Sequence, residues 1–161
     1  MGVSRSLDKA DPPRVVVVID GSEDSLEALR LARDEADLRD GLLQVVYAFE
    51  SPTVAGISLP EEAYESIEAE ARDVVDGAMK AAEVSELLPP ERVVRTVVAS
   101  EPVPALVDAS NEAALLVVGS RGRGALQSMV LGSVSNHCVH LARCPVVVVR
   151  SGSVAATTSS P

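Results

Sequence analysis

Five short runs of β-branched residues limit what this chain can fold into. They are VVVVI at 15–19, LLQVVYAF at Leu42–Phe49, VVRTVV at 93–98, LLVVG at Leu115–Gly119 and VVVV at Val146–Val149. They are mostly continuous rather than alternating, the pattern of strands covered on both faces. VVRTVV is the most interrupted and belongs nearer an edge. Between the runs lie helical stripes: Leu26, Leu29, Ala32 and Ala36; then Tyr64, Ile67, Ala71, Val74, Ala78 and Ala81. A third, Val103, Leu106, Val107 and Ala109, is opened by Pro102. Leu131, Val134, Cys138 and Leu141 make the fourth. The order βαβαβαβαβ implies an α/β fold with a single, doubly wound, five-stranded parallel sheet.

At 161 residues the chain suits one domain with a good-sized core. The expected divisions are a disordered arm over 1–12, the folded domain over 13–150 and a disordered tail over 151–161. The segment 51–60 reads as a long loop. Aromatics are only 2%, which argues against an aromatic-lined nucleic-acid site, and the net charge of −10 disfavours nucleic acid and anionic membranes. No apolar run approaches the roughly 20 residues needed to span a bilayer. The opening MGVSRSLDKADPP lacks the apolar segment of a signal peptide, and Gly2 is in a poor context for myristoylation. Two cysteines, Cys138 and Cys144, are too few for a disulfide framework, so a soluble, cytoplasmic protein is expected.

The common catalytic and nucleotide signatures are missing. The only lysines are Lys9 and Lys80, so no G-x-x-x-x-G-K-[ST] exists, and the first strand-to-helix turn reads DGSEDS rather than G-x-G-x-x-G. Zinc spacings, H-E-x-x-H and G-x-S-x-G are also absent. Charge is more informative. Residues 119–150 contain no Asp or Glu but hold Arg121, Arg123, Arg143 and Arg150. An acidic protein thus keeps its carboxylates out of the sequence around GSRGRGALQSMVLGSVSNH.

Two helix starts can be compared. At DGSEDS, Ser22 is the expected N-cap, and Glu23 and Asp24 already match the positive helix end. At Gly132-Ser133 the first turn carries no acid, so free N–H groups and the hydroxyls of Ser133 and Ser135 can face an anion. If the first and fourth strands are neighbours, Asp20 and the Gly119 loop share the crevice at the switch point of the sheet. Asp20 could then accept from a ribose or hold a metal ion beside a phosphate. The competing reading of the glycines is a loop and helix cap with no ligand.

These residues resemble the ATP-binding branch of the universal stress proteins. Gly119, Gly122, Gly132 and Ser133 match G-2x-G-9x-G-[ST] at every spacing, and D-G-S (Asp20, Gly21, Ser22) and CPVVVV from Cys144 match as well. The resemblance covers residues 13–150. It implies a Rossmann-like, adenine nucleotide alpha hydrolase-like fold of strand order 3-2-1-4-5, and a homodimer pairing fifth strands, Val146–Val149. It also implies Asp20 and Gly119 at the ribose, with Gly122, Gly132, Ser133 and Ser135 cradling phosphates and Val134 among them. Val18 and Ala48 fall where the backbone approaches the adenine. One departure is Ser100, which stands where the family usually has glycine.

Arg121 and Arg123 read first as solvated loop charges, His137 as a helix-flank or dimer-surface residue, Cys138 as core and Cys144 as packing. No nucleophile, general base or metal cluster stands out. The leading expectation is an ATP-binding regulator or interaction module in stress response, acting on an unidentified regulatory protein. A slow ATPase or phosphotransferase using Mg²⁺ at Asp20 is one alternative, and a ligand-free interaction module another. The missing lysine weighs against phosphoryl transfer.

Overall fold

The computed structural model describes residues 11–49, 53–54, 57–58, 60–122 and 130–152. Arg123, Gly124, half of the 51–60 loop and most of the two expected terminal segments lie outside the described residues. In chain order the strands are β1 (Arg14–Val18), β2 (Leu42–Phe49), β3 (Thr53–Val54), β4 (Ile57–Ser58), β5 (Val93–Ala99), β6 (Leu115–Gly119) and β7 (Val146–Val149). The helices are α1 (Glu23–Leu38), α2 (Glu61–Ala81), α3 (Val84–Leu87), α4 (Pro102–Ser110) and α5 (Ser133–Leu141), with a 3-10 turn at Pro90–Arg92.

The five long strands form one sheet of order β5-β2-β1-β6-β7, all parallel, which is the expected 3-2-1-4-5. VVRTVV is indeed an edge strand. The short β3–β4 ladder is antiparallel and interrupts what the sequence presents as plain loop.

Alternation along β1 explains the two-layer core. Val15 and Val17 point toward α1 and α2, packing with Leu29, Ala32, Leu43, Val45 and Val75. Val16 points the other way, into a second cluster with Val46, Leu106, Leu116, Val118 and Cys138 beneath α4 and α5. Two stripe residues, Ala81 and Leu141, are exposed, and on α2 the buried line is Ala71, Val75 and Met79. Strand β7 is covered less than a continuous valine run suggests, with Val147 exposed at 36%.

Helix α1 is fixed at both ends. Gly21 turns the chain at φ +81, in the left-handed region that favours glycine, and Ser22 caps the helix by accepting from the Ser25 amide at 3.2 Å. At the other end Arg92, arriving from a distant segment, donates to the carbonyls of Ala36 (2.7 Å) and Gly41 (2.9 Å), supplying a cation where the last turn of α1 has none. Ser100, despite the family's usual glycine, needs no left-handed backbone, and its hydroxyl donates to the Glu101 carbonyl at 2.9 Å.

Candidate functional site

Because β1 lies between β2 and β6, the connections wind in opposite directions from it, and a crevice opens beyond the carboxyl ends of β1 and β6. A cleft of about 140 Å³ occupies this place, lined by Val18, Asp20, Ala48, Gly119, Arg121 and Val134 among others. Five of the expected binding residues, Val18, Asp20, Ala48, Gly119 and Val134, therefore line one cavity, with Arg121 beside them. Gly122 joins them: a Cβ there would lie 2.7 Å from Asp20 Oδ2. Gly132 packs on the same turn, its amide donating to the Ser120 carbonyl at 2.6 Å. A Cβ at Gly132 would meet that carbonyl at 3.3 Å and Arg121 Cα at 3.4 Å. The three motif glycines are thus places of close approach around the turn 119–122.

Asp20 shapes its own loop, Oδ1 accepting from the Ser22 amide at 2.9 Å. Ser133 is the exposed first residue of α5, whose N-cap Gly132 brings no side-chain hydrogen bond and whose first turn brings no acid. Ser135 is turned inward instead. It is 2% exposed, and its hydroxyl lies 3.0 Å from both the Ser120 and Gly132 carbonyls. The sequence expectation has this hydroxyl facing an anion; in the structure it is turned to these two carbonyls, each of which also accepts a backbone amide, from Gly132 and Asn136. His137 and His140 stay exposed on α5, each Nδ1 2.7 Å from a carbonyl one turn earlier, Ser133 and Asn136. Cys138 is fully buried, and burial together with the neighbouring Cys144 pushes its thiol up to about 11. Burial also raises the Cys144 thiol. Both thiols are packing groups, and neither is a ready nucleophile.

Sequence reasoning missed the role of Asp24. It reads as a first-turn carboxylate beside a helix end, yet it is only 4% exposed. Oδ2 accepts from the Ser120 hydroxyl at 2.6 Å and the Arg121 amide at 3.1 Å, and Oδ1 accepts from the Ser151 amide at 2.9 Å and the Ser151 hydroxyl. Arg121 Nε lies 3.5 Å from Oδ2, so this arginine is an ion-pair partner at the cleft wall and not simply a solvated charge. Burial acts to raise the Asp24 pKa, but the hydrogen bonds from Ser120 and Ser151, with the guanidinium of Arg121, prevail and hold it at about 2. The acid-free run 119–150 is therefore free of acids in sequence only, since α1 delivers one beneath it. Ser151, expected to begin the tail, is anchored.

The sheet, its switch point and this crevice define a doubly wound α/β protein with a cleft at its strand ends. The sequence model of the universal stress protein family matches residues 13–150, and the chain belongs to that family. The universal stress protein Rv2005c of Mycobacterium tuberculosis is 42% identical over 136 residues, 84% of this chain but 45% of that protein. The chain thus spans under half the length of that relative. A universal stress protein solved in complex with cAMP is similar at 28% identity and a TM-score of 0.54, covering 87% of this chain and 98% of that one. One from Archaeoglobus fulgidus in complex with dAMP shares the fold at 24% identity and a TM-score of 0.59, over 86% and 97% of the two chains. No helix among the described residues is long and apolar enough to cross a membrane.

Proposed function

We propose that the cleft binds an adenine nucleotide, ATP foremost, and that the protein is a nucleotide-responsive regulator or interaction module of stress response in the cytoplasm. The observation that carries this is the convergence of Gly119, Gly122 and Gly132 on one turn beside an apolar slot. Val18, Ala48 and Val134 offer walls for a flat base, and Asp20 offers a carboxylate to a ribose. Binding of cAMP by a family member of similar fold supports the same ligand class. At about 140 Å³ the slot suits a base and part of a sugar, below the ~300 Å³ of ordinary ligand pockets. The phosphates would extend toward Gly122, Gly132, Ser133 and the backbone amide of Ser135, at the uncapped end of α5.

Among the described residues no cluster of three acids, histidines or cysteines could hold a metal. Mg²⁺ would therefore enter with the phosphates, Asp20 adding a single carboxylate. Nucleotide would act by linkage, favouring the ordered form of the turn and of the surface a regulatory protein reads. The exposed β7 edge is the surface proposed for homodimerisation.

Thermal melting tests the binding. At about a hundred times its Kd, a ligand specific for the folded state adds about 2.7 kcal/mol and raises the Tm. Unchanged melting with ATP, cAMP and AMP alike would contradict the proposal. Mass spectrometry of nucleotide released from denatured protein would then identify the natural ligand.

A further inference from the structure

The end of β6 and the end of β7 meet at one buried carboxylate. Asp24, from the first turn of α1, takes Ser120 and Arg121 on one oxygen and Ser151 on the other. The Ser120 amide also donates to the Val149 carbonyl at 2.6 Å, so the two strand ends are adjacent through main chain as well. Gly119 permits the approach. A Cβ there would lie 2.9 Å from both Asp24 C and Ser25 N, and would push α1 off the turn. Two backbone amides and two hydroxyls, from segments about thirty residues apart, are thus served by a group that none of the binding motifs includes. A carboxylate can do this because both of its oxygens accept; an amide has one accepting oxygen and cannot serve both strand ends.

We propose that Asp24 is the positioning residue of the turn 119–122 and that, through Ser151, it ties order in that turn to the end of β7. The ligand rests on the nucleotide reading above; the junction does not. A nucleotide that stills the Arg121 amide also restrains Asp24, and the restraint reaches Ser151, which does not line the cleft. Occupancy is then felt at the edge of the sheet.

Amide hydrogen exchange on the full chain tests this, with ATP as the probe. In wild type, saturating ATP is expected to slow exchange at both Arg121 and Ser151 by about fivefold or more, the lower end of ordinary coupling. In Asp24→Asn both amides should exchange faster without ligand, and ATP should no longer slow Ser151. Protection by ATP at Arg121 with none at Ser151 in wild type overturns the tie. Unchanged ligand-free exchange in Asp24→Asn overturns the positioning role. If ATP protects nothing, the nucleotide reading fails, and the ligand-free comparison still decides the junction. Ser151→Ala leaves α1 intact and covers the case in which Asp24→Asn does not fold. It should speed exchange at Arg121, and an unchanged rate there counts against the tie.

Discussion

Protonating Asp24 removes an acceptor shared by Ser120, Arg121 and Ser151, so its effect on stability has a definite sign. The carboxyl sits at about 2 when folded against 3.8 ordinarily. Its contribution, about 2 kcal/mol, is present above pH 4 and is lost as pH falls through 2. Asp24→Asn is therefore expected to lower the Tm at pH 7 and to differ little from wild type near pH 2. Calorimetric melts across that range check it, and a constant difference between the two proteins would refute the assignment. The signal for Asp24 was present in the sequence: it lies on the same i, i+4 line as Ala28, Ala32 and Ala36, all buried. Ser135 likewise lies on the buried side of α5 with Cys138. A polar group on an apolar stripe marks an internal hydrogen bond, but the pattern does not say with what. The partners of Asp24 are about a hundred residues away, and only the fold brings them near.

Helix starts carry the next level of control. Ser22→Ala should destabilise the domain by about 1 kcal/mol through loss of the α1 cap, measurable by denaturant unfolding. Gly132→Asp acts on both stability and binding. Aspartate is a favourable N-cap, but its Cβ would press on the Ser120 carbonyl and Arg121 Cα, so some stability should be lost, while a fixed negative charge occupies the place proposed for phosphate. Retained ATP affinity in a folded Gly132→Asp protein would place the phosphates elsewhere. The caps were legible because Ser, Gly and acidic residues act locally. The buried face of α2 was legible only in part: Ala71 and Ala78 do meet the core, but alanine suits an exposed helix position as well as a buried one, so Ala81 gave no direction, and packing added Val75 and Met79.

For the whole molecule, a parallel, doubly wound sheet was readable because continuous valine runs demand two covered faces and parallel strands demand crossovers, while the strand order came only with the family resemblance. How fully β7 is covered was not, since four valines look alike whether or not a neighbour lies beyond them. Val147 is partly open, and Val139 and Leu141 are exposed on α5 (48% and 50%). If this edge pairs with a second copy, Val147→Lys should turn dimer into monomer in light scattering while leaving the fold intact; a monomeric wild type would dismiss that interface. The claim on which the rest depends is that the turn 119–122 holds an adenine nucleotide, and titration calorimetry of ATP into wild type and Gly122→Ala tests it most directly. The added methyl meets the movable carboxylate of Asp20 rather than backbone, so the variant should fold. Its affinity should fall by about tenfold, some 1.4 kcal/mol. Equal ATP affinity in the two proteins, or none in wild type, would contradict it.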